Sequence, residues 1–108
     1  MGGPARPAKR GGGLALEFPL QFEWQGRSQH ARTVVVESHS ALILSPVACK
    51  PGVELDIRNL ATGLEGRFRV VWSWVENGRD YHCRLSVELL DPRLAFWDVP
   101  HALTRRAR

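Results

Sequence analysis

The sequence predicts an all-β fold: a small six-stranded antiparallel β-barrel followed by one short C-terminal helical turn. Three observations carry this reading. Apolar residues recur with a period of two along several separate segments. Signals rich in Gly, Pro and Asn separate those segments at short spacing. Only the stretch after Leu90 reads as helix. At 108 residues the chain makes one domain at most, with a core of modest size. No internal repeat recurs along it.

Residues 1–13 hold five Gly and two Pro with nothing to bury, and are expected to form a flexible basic arm. From Leu14 the pattern changes. Leu14, Leu16, Phe18, Leu20, Phe22 and Trp24 alternate with polar residues and with Pro19, which gives a strand with one buried face. Pro19 falls on the outward side and lacks a ladder donor, so an edge or a bulge is expected there. A turn follows at residues 26–28. Two β-rich runs, 33–36 and 41–44, flank a polar connection at Glu37, Ser38, His39 and Ser40. Lys50-Pro51-Gly52 is a tight turn with Pro preset for its second position. Val53, Leu55 and Ile57 then alternate with Glu54, Asp56 and Arg58 in another half-buried strand, and residues 59–63 form a loop.

Residues 67–90 give the strongest hairpin signal. Asn77-Gly78 can take the positive φ angles of a type I′ turn, and apolar alternation flanks it on both sides. With those two residues as the loop, Trp74 faces Tyr81, Trp72 faces Cys83, Val70 faces Leu85 and Phe68 faces Val87, all apolar pairs. The other face would carry Ser73 with His82, Val71 with Arg84 and Arg69 with Ser86, and would pair Arg67 with Glu88 and Glu76 with Arg79. In this register Trp72 and Trp74 share a face with Phe68 and Val70 and are core residues. After Leu90, Asp91 reads as a helix N-cap and Pro92 as the first helical residue, with Leu94, Phe96 and Trp97 as an apolar face.

The net charge of +4 belongs to the ends of the chain. Arg6, Lys9 and Arg10 lie in residues 1–13, and Arg105, Arg106 and Arg108 lie in a basic tail, residues 99–108, that is expected to be disordered. All 11 acids and the other 9 basic residues lie in the barrel body, residues 14–98, so that body carries 9 − 11 = −2. A nucleic-acid reader puts its basic stripe on a folded face, so direct nucleic-acid binding is disfavoured. No run approaches the roughly 18 apolar residues of a membrane helix, and the start lacks the apolar core of a secretion signal. A cytoplasmic chain without membrane insertion is expected.

Cys49 and Cys83 are too few for a disulfide framework, and no His stands near either at metal-ligand spacing. No metal and no cofactor are expected. Cys83 falls on the apolar face and reads as a buried thiol. No nucleophile stands near a base and no carboxylates pair at usable spacing, so no catalytic residues are assigned and the chain reads as a non-enzyme. His82 and Cys83 are adjacent and so point to opposite faces of one strand. His30 and His101 read as solvated loop residues.

Two features remain: the spacing RxxxR at Arg6 and Arg10, and the polar turn at residues 37–42. With the alternating strand after Pro51-Gly52, the long hairpin and the terminal helical turn, they make most of the chain resemble the PilZ domain family of bacterial signalling barrels. The resemblance implies binding of cyclic di-GMP. Two arginines on a mobile arm can give bidentate bonds to phosphate or to a guanine edge, and can stack on base planes. The family's second motif is a D/N-x-S-x-x-G turn. Here Glu37 stands at its first position, His39 where Ser is expected and Leu42 where Gly is expected. The resemblance therefore assigns Arg6, Arg10, Glu37, His39 and Ser40 as ligand-binding residues. The departures at His39 and Leu42 imply an alternative, a PilZ-like barrel that binds no nucleotide and serves as an adaptor for another protein.

Overall fold

The computed structural model describes residues 13–75, 78 and 80–97. Six strands follow one another in the chain: β1 (Pro19–Trp24), β2 (Arg27–Val36), β3 (Ser40–Ser45), β4 (Glu54–Asn59), β5 (Glu65–Val75) and β6 (Cys83–Leu89). Every neighbouring pair is antiparallel, and the sheet closes in the order β1-β2-β3-β6-β5-β4. Closure gives every strand two neighbours, and Pro19 is accommodated as the first residue of its strand. Its carbonyl still accepts the Leu60 N–H at 2.8 Å.

The predicted alternation is what fills the barrel. Leu20 and Phe22 from β1, Ile43 from β3, Leu55 and Ile57 from β4, Phe68 and Val70 from β5, and Leu85 and Val87 from β6 are all buried. Phe96 and Trp97 join this core after β6. The Phe96 ring meets Phe68 edge-on at 4.9 Å and Trp97 at 4.7 Å, while Phe18 stacks on Trp97 at 5.9 Å. The Asp91 Oδ1 accepts the Arg93 N–H at 3.0 Å, but there is no helix here for it to cap. The bond from Leu94 N–H to the Asp91 carbonyl makes this a single hydrogen-bonded turn, and no helix forms among the described residues.

The long first strand is shorter than its pattern. Leu14 pairs with Val36 in an isolated bridge, and the regular ladder starts only at Pro19. Between them the chain is held by buried Thr33, whose hydroxyl donates to the Leu16 carbonyl and accepts the Phe18 N–H. Two φ-positive residues, Gln25 and Gly26, join paired Trp24 and Arg27 in a turn of type I′ character, and Ser28 is already in β2. His30 is likewise a strand residue, facing Gln21, rather than a loop histidine. Gly52, at φ 97°, is the left-handed third residue of the turn whose Val53 N–H donates to the Lys50 carbonyl.

The β5–β6 hairpin departs from its predicted register. Val75 pairs with Cys83 and Trp74 with Arg84, so the pairing of Trp74 with Tyr81 that a two-residue loop requires is not formed. Phe68 faces Leu89 and Val70 faces Val87, two residues along from prediction. An even shift preserves the buried face, which is why both remain core. A bulge between Val70 and Trp72 then adds one residue to β5. Trp72 faces Ser86 and Trp74 faces Arg84, both on the outside. The reading of Trp72 and Trp74 as core residues is therefore wrong: Trp72 is 44% exposed. The predicted pairing of Arg67 with Glu88 is also replaced, and Glu88 lies beside Arg69 at 3.8 Å. The predicted pair Glu76–Arg79 falls outside the described residues.

Candidate functional site

The turn singled out by sequence is a tight connection between β2 and β3. Val36 and Ala41 close it as a strand pair, and the Glu37 N–H donates to the Ser40 carbonyl at 2.8 Å. The Ser40 hydroxyl reaches the Glu37 Oε1 at 3.5 Å. His39 projects into solvent, and its carbonyl accepts the Leu89 N–H at 2.7 Å, which ties the turn to the end of β6. Glu37, His39 and Ser40 are thus brought together at one rim of the barrel. The second carboxylate oxygen of Glu37, Oε2, is buried with no hydrogen-bond partner among the described residues.

Arg6 and Arg10 lie outside the described residues, as do the rest of the predicted arm before Gly13 and the predicted tail at 99–108. The point where that arm joins the barrel is described. Leu14 and Val36 exchange both backbone hydrogen bonds, N–H to carbonyl, at 2.8 and 2.9 Å. Gly13 lies so close to β2 that a Cβ on it would stand 2.5 Å from Val35 Cγ1 and 3.2 Å from Glu37 Cγ. A side chain there would have to push Val35 aside. Arg10 precedes Gly13 by three residues, a reach of about 10 Å at full extension.

Leu42 does not sit in the turn. It is an outward residue of β3, between buried Ala41 and Ile43, with Val35 facing it from β2 and Ser86 from β6. Trp72 continues this row on β5, and the next row runs Arg32, Leu44, Arg84, Trp74. The outer face of β2, β3, β6 and β5 therefore carries an apolar band that starts beside the Glu37–Ser40 turn. Sequence reasoning missed this band. The available signal was the run Val70-Val71-Trp72, where three apolar residues in succession break the alternation and mark an extra residue.

A charged ladder adjoins this band. On β4 and β5, Arg58 pairs with Glu65 at 2.9 Å, and Arg67 bonds Glu54 at 3.2 Å and Asp56 at 3.0 Å. Arg69 lies 3.5 Å from Glu54 as well as close to Glu88. Hydrogen bonding to Glu54, reinforced by Asp56, raises the pKa of the Arg67 guanidinium. Four of the body's acids, Glu54, Asp56, Glu65 and Glu88, are engaged in this ladder, and Glu88 lies beside the band opposite Ser40.

His82 is exposed and Cys83 buried, on opposite faces as the alternation requires. Among the described residues no group of three His, Cys, Asp or Glu side chains is placed to hold a metal. Among the same residues no helix is long and apolar enough to cross a membrane. Compared with protein-family models, with characterised proteins and with solved structures, the chain gives no match.

Proposed function

We propose that this chain is a non-enzymatic, PilZ-like signalling barrel that binds cyclic di-GMP on its outer face beside the Glu37–Ser40 turn. The observation that carries the reading is the seating of Gly13 against Val35 and Glu37. Gly13, the first described residue after Arg10 in the chain, lies beside the turn that the family resemblance pairs with the two arginines. In this reading the arginines supply the charge-assisted bonds to the phosphates, and the turn supplies Glu37, His39 and Ser40 at the guanine edge. Calorimetric titration of the wild type and of Arg10→Ala with cyclic di-GMP tests it. Binding that is absent at about 100 μM, or indifferent to Arg10, rejects it.

A second reading is supported by a different observation. Leu42, together with exposed Val71 and Trp72, makes the band beside the turn apolar, which suits a protein partner in a nucleotide-independent adaptor. A pull-down that recovers one specific partner, and loses it in Trp72→Ala, supports the adaptor if calorimetry shows no nucleotide binding.

A further inference from the structure

We propose that the free edge of β5, residues 71–75, is a self-association surface, on which a second copy of this chain adds its own β5 antiparallel about a two-fold axis at Ser73. Such pairing needs neither a nucleotide nor a foreign partner.

The edge exists because β5 outruns the strand beside it. The β4 ladder ends with Glu54 opposite Arg69, and the last bonds from that side join Val70 to Val53 at 2.8 Å and to Gly52 at 2.7 Å. The direction of the next backbone groups follows from β6. Leu89 N–H donates to His39 on the β3 side and Leu90 N–H to Arg67 on the β5 side, so Ser86 and Arg84, in step with Leu90, bond towards β5. Their partners Trp72 and Trp74 answer them, which turns the N–H and C=O of Ser73 and Val75 away from β6. Among the described residues no backbone bond reaches Ser73 or Val75 from that side.

The sequence of this edge selects a second copy as the occupant. Val71-Trp72-Ser73-Trp74-Val75 reads the same in both directions. Antiparallel pairing reverses one copy, so an axis at Ser73 sets Ser73 against Ser73, Trp72 against Trp74 and Val71 against Val75. The two Ser73 residues then exchange both backbone bonds, and each Trp72–Trp74 pair falls in the non-hydrogen-bonded position, where cross-strand side chains come closest. Because the bulge has put both indoles outside, two aromatic pairs form on one continuous outer face. Val71, Trp72 and Val75 are 40%, 44% and 75% exposed, and the second copy covers this apolar surface. None of the five residues is charged. By contrast, residues 27–31 of β2, which outrun β3, carry exposed Arg27, a charge that blunts a strand edge.

The test is sedimentation equilibrium of the full chain between about 1 and 500 μM, without nucleotide, for wild type, Ser73→Pro and Val75→Lys, with thermal melting at the lowest concentration to verify folding. Wild type is expected to pass from monomer to dimer over this range. Ser73→Pro removes the central edge donor without breaking a bond to β6, and Val75→Lys brings an ammonium group to the apolar edge. Each is expected to raise the dissociation constant about tenfold or more. If Ser73→Pro does not fold, Val75→Lys decides, because Val75 is an exposed position. In a mixture of isotope-labelled and unlabelled wild type, nuclear Overhauser contacts between Trp72 of one copy and Trp74 of the other are expected to identify the register. A wild type still monomeric at about 500 μM overturns the proposal, even where an unrelated peptide binds this edge. A dimer that Val75→Lys leaves intact, or one whose contacts centre on another strand such as β2, overturns it as well.

Discussion

Trp72 stands across the sheet from Ser86, on the outside of the barrel, because β5 carries one residue more than β6 between Val70 and Trp72. Val70, two residues away and 1% exposed, stays in the core. The two side chains therefore have opposite worth to the fold. Val70→Ala is expected to cost about 2 kcal/mol, and Trp72→Ala to stay within about 0.5 kcal/mol as a surface change. Urea denaturation of both variants measures this. In the register first read from sequence, Trp72 is core and its truncation would cost about 3–5 kcal/mol.

Most of the barrel is legible in the sequence because alternation, Gly and Pro act locally. Val53, Leu55 and Ile57 mark β4 without ambiguity, and Pro51-Gly52 fixes the turn before it. The hairpin register was not legible. Asn77-Gly78 has the chemistry of a two-residue turn, but β6 must also pair with β3, where Ile43 meets Leu85 and Ala41 meets Val87. That long-range pairing, with closure of the barrel, overrides the local turn. At the candidate site, the grouping of Glu37, His39 and Ser40 follows from their adjacency in one connection. The approach of Gly13 to Val35, and of Leu42 to Trp72 across Ser86, depends on strand order that no local pattern encodes.

Phe96 is expected to be the residue after β6 on which the fold depends most. It touches both Phe68 and Trp97 and is fully buried. Phe96→Ala is expected to cost about 3–5 kcal/mol, a large share of the stability of a domain this size. Chemical denaturation gives the value, and a loss under about 1 kcal/mol would mean that the segment does not close the core.

Gly13→Ala should separate anchoring of the arm from folding of the barrel. A Cβ there must displace Val35 or the strand at Val36, since it would also stand 3.3 Å from the Val36 carbonyl oxygen. The expected result is a melting temperature near that of wild type and cyclic di-GMP affinity lowered about tenfold, or about 1.4 kcal/mol. Unchanged affinity in calorimetry would show that the seating of Gly13 does not position the arm.

The two thiols give the fold an alkaline limit. Burial, with Cys83 adding to it, pushes Cys49 up from 9.0 to about 11, and burial raises Cys83 as well. A thiol whose pKa is raised on folding contributes stability that is complete below its unfolded value and is lost as pH rises towards the folded one. Denaturation midpoints should fall between pH 9 and 11, and Cys49→Ala should remove part of that fall. A wild-type profile no steeper than that of Cys49→Ala would contradict it.

The central claim is that the nucleotide meets the outer face of β2, β3, β6 and β5 beside the Glu37–Ser40 turn. An amide chemical-shift titration of the labelled protein with cyclic di-GMP tests it most directly. The account predicts saturable shifts at Gly13, Glu37, His39, Ser40 and Leu42, with β4 residues such as Asp56 and Arg58 unmoved. Shifts centred on β1 and β4, or none at saturating nucleotide, would contradict it.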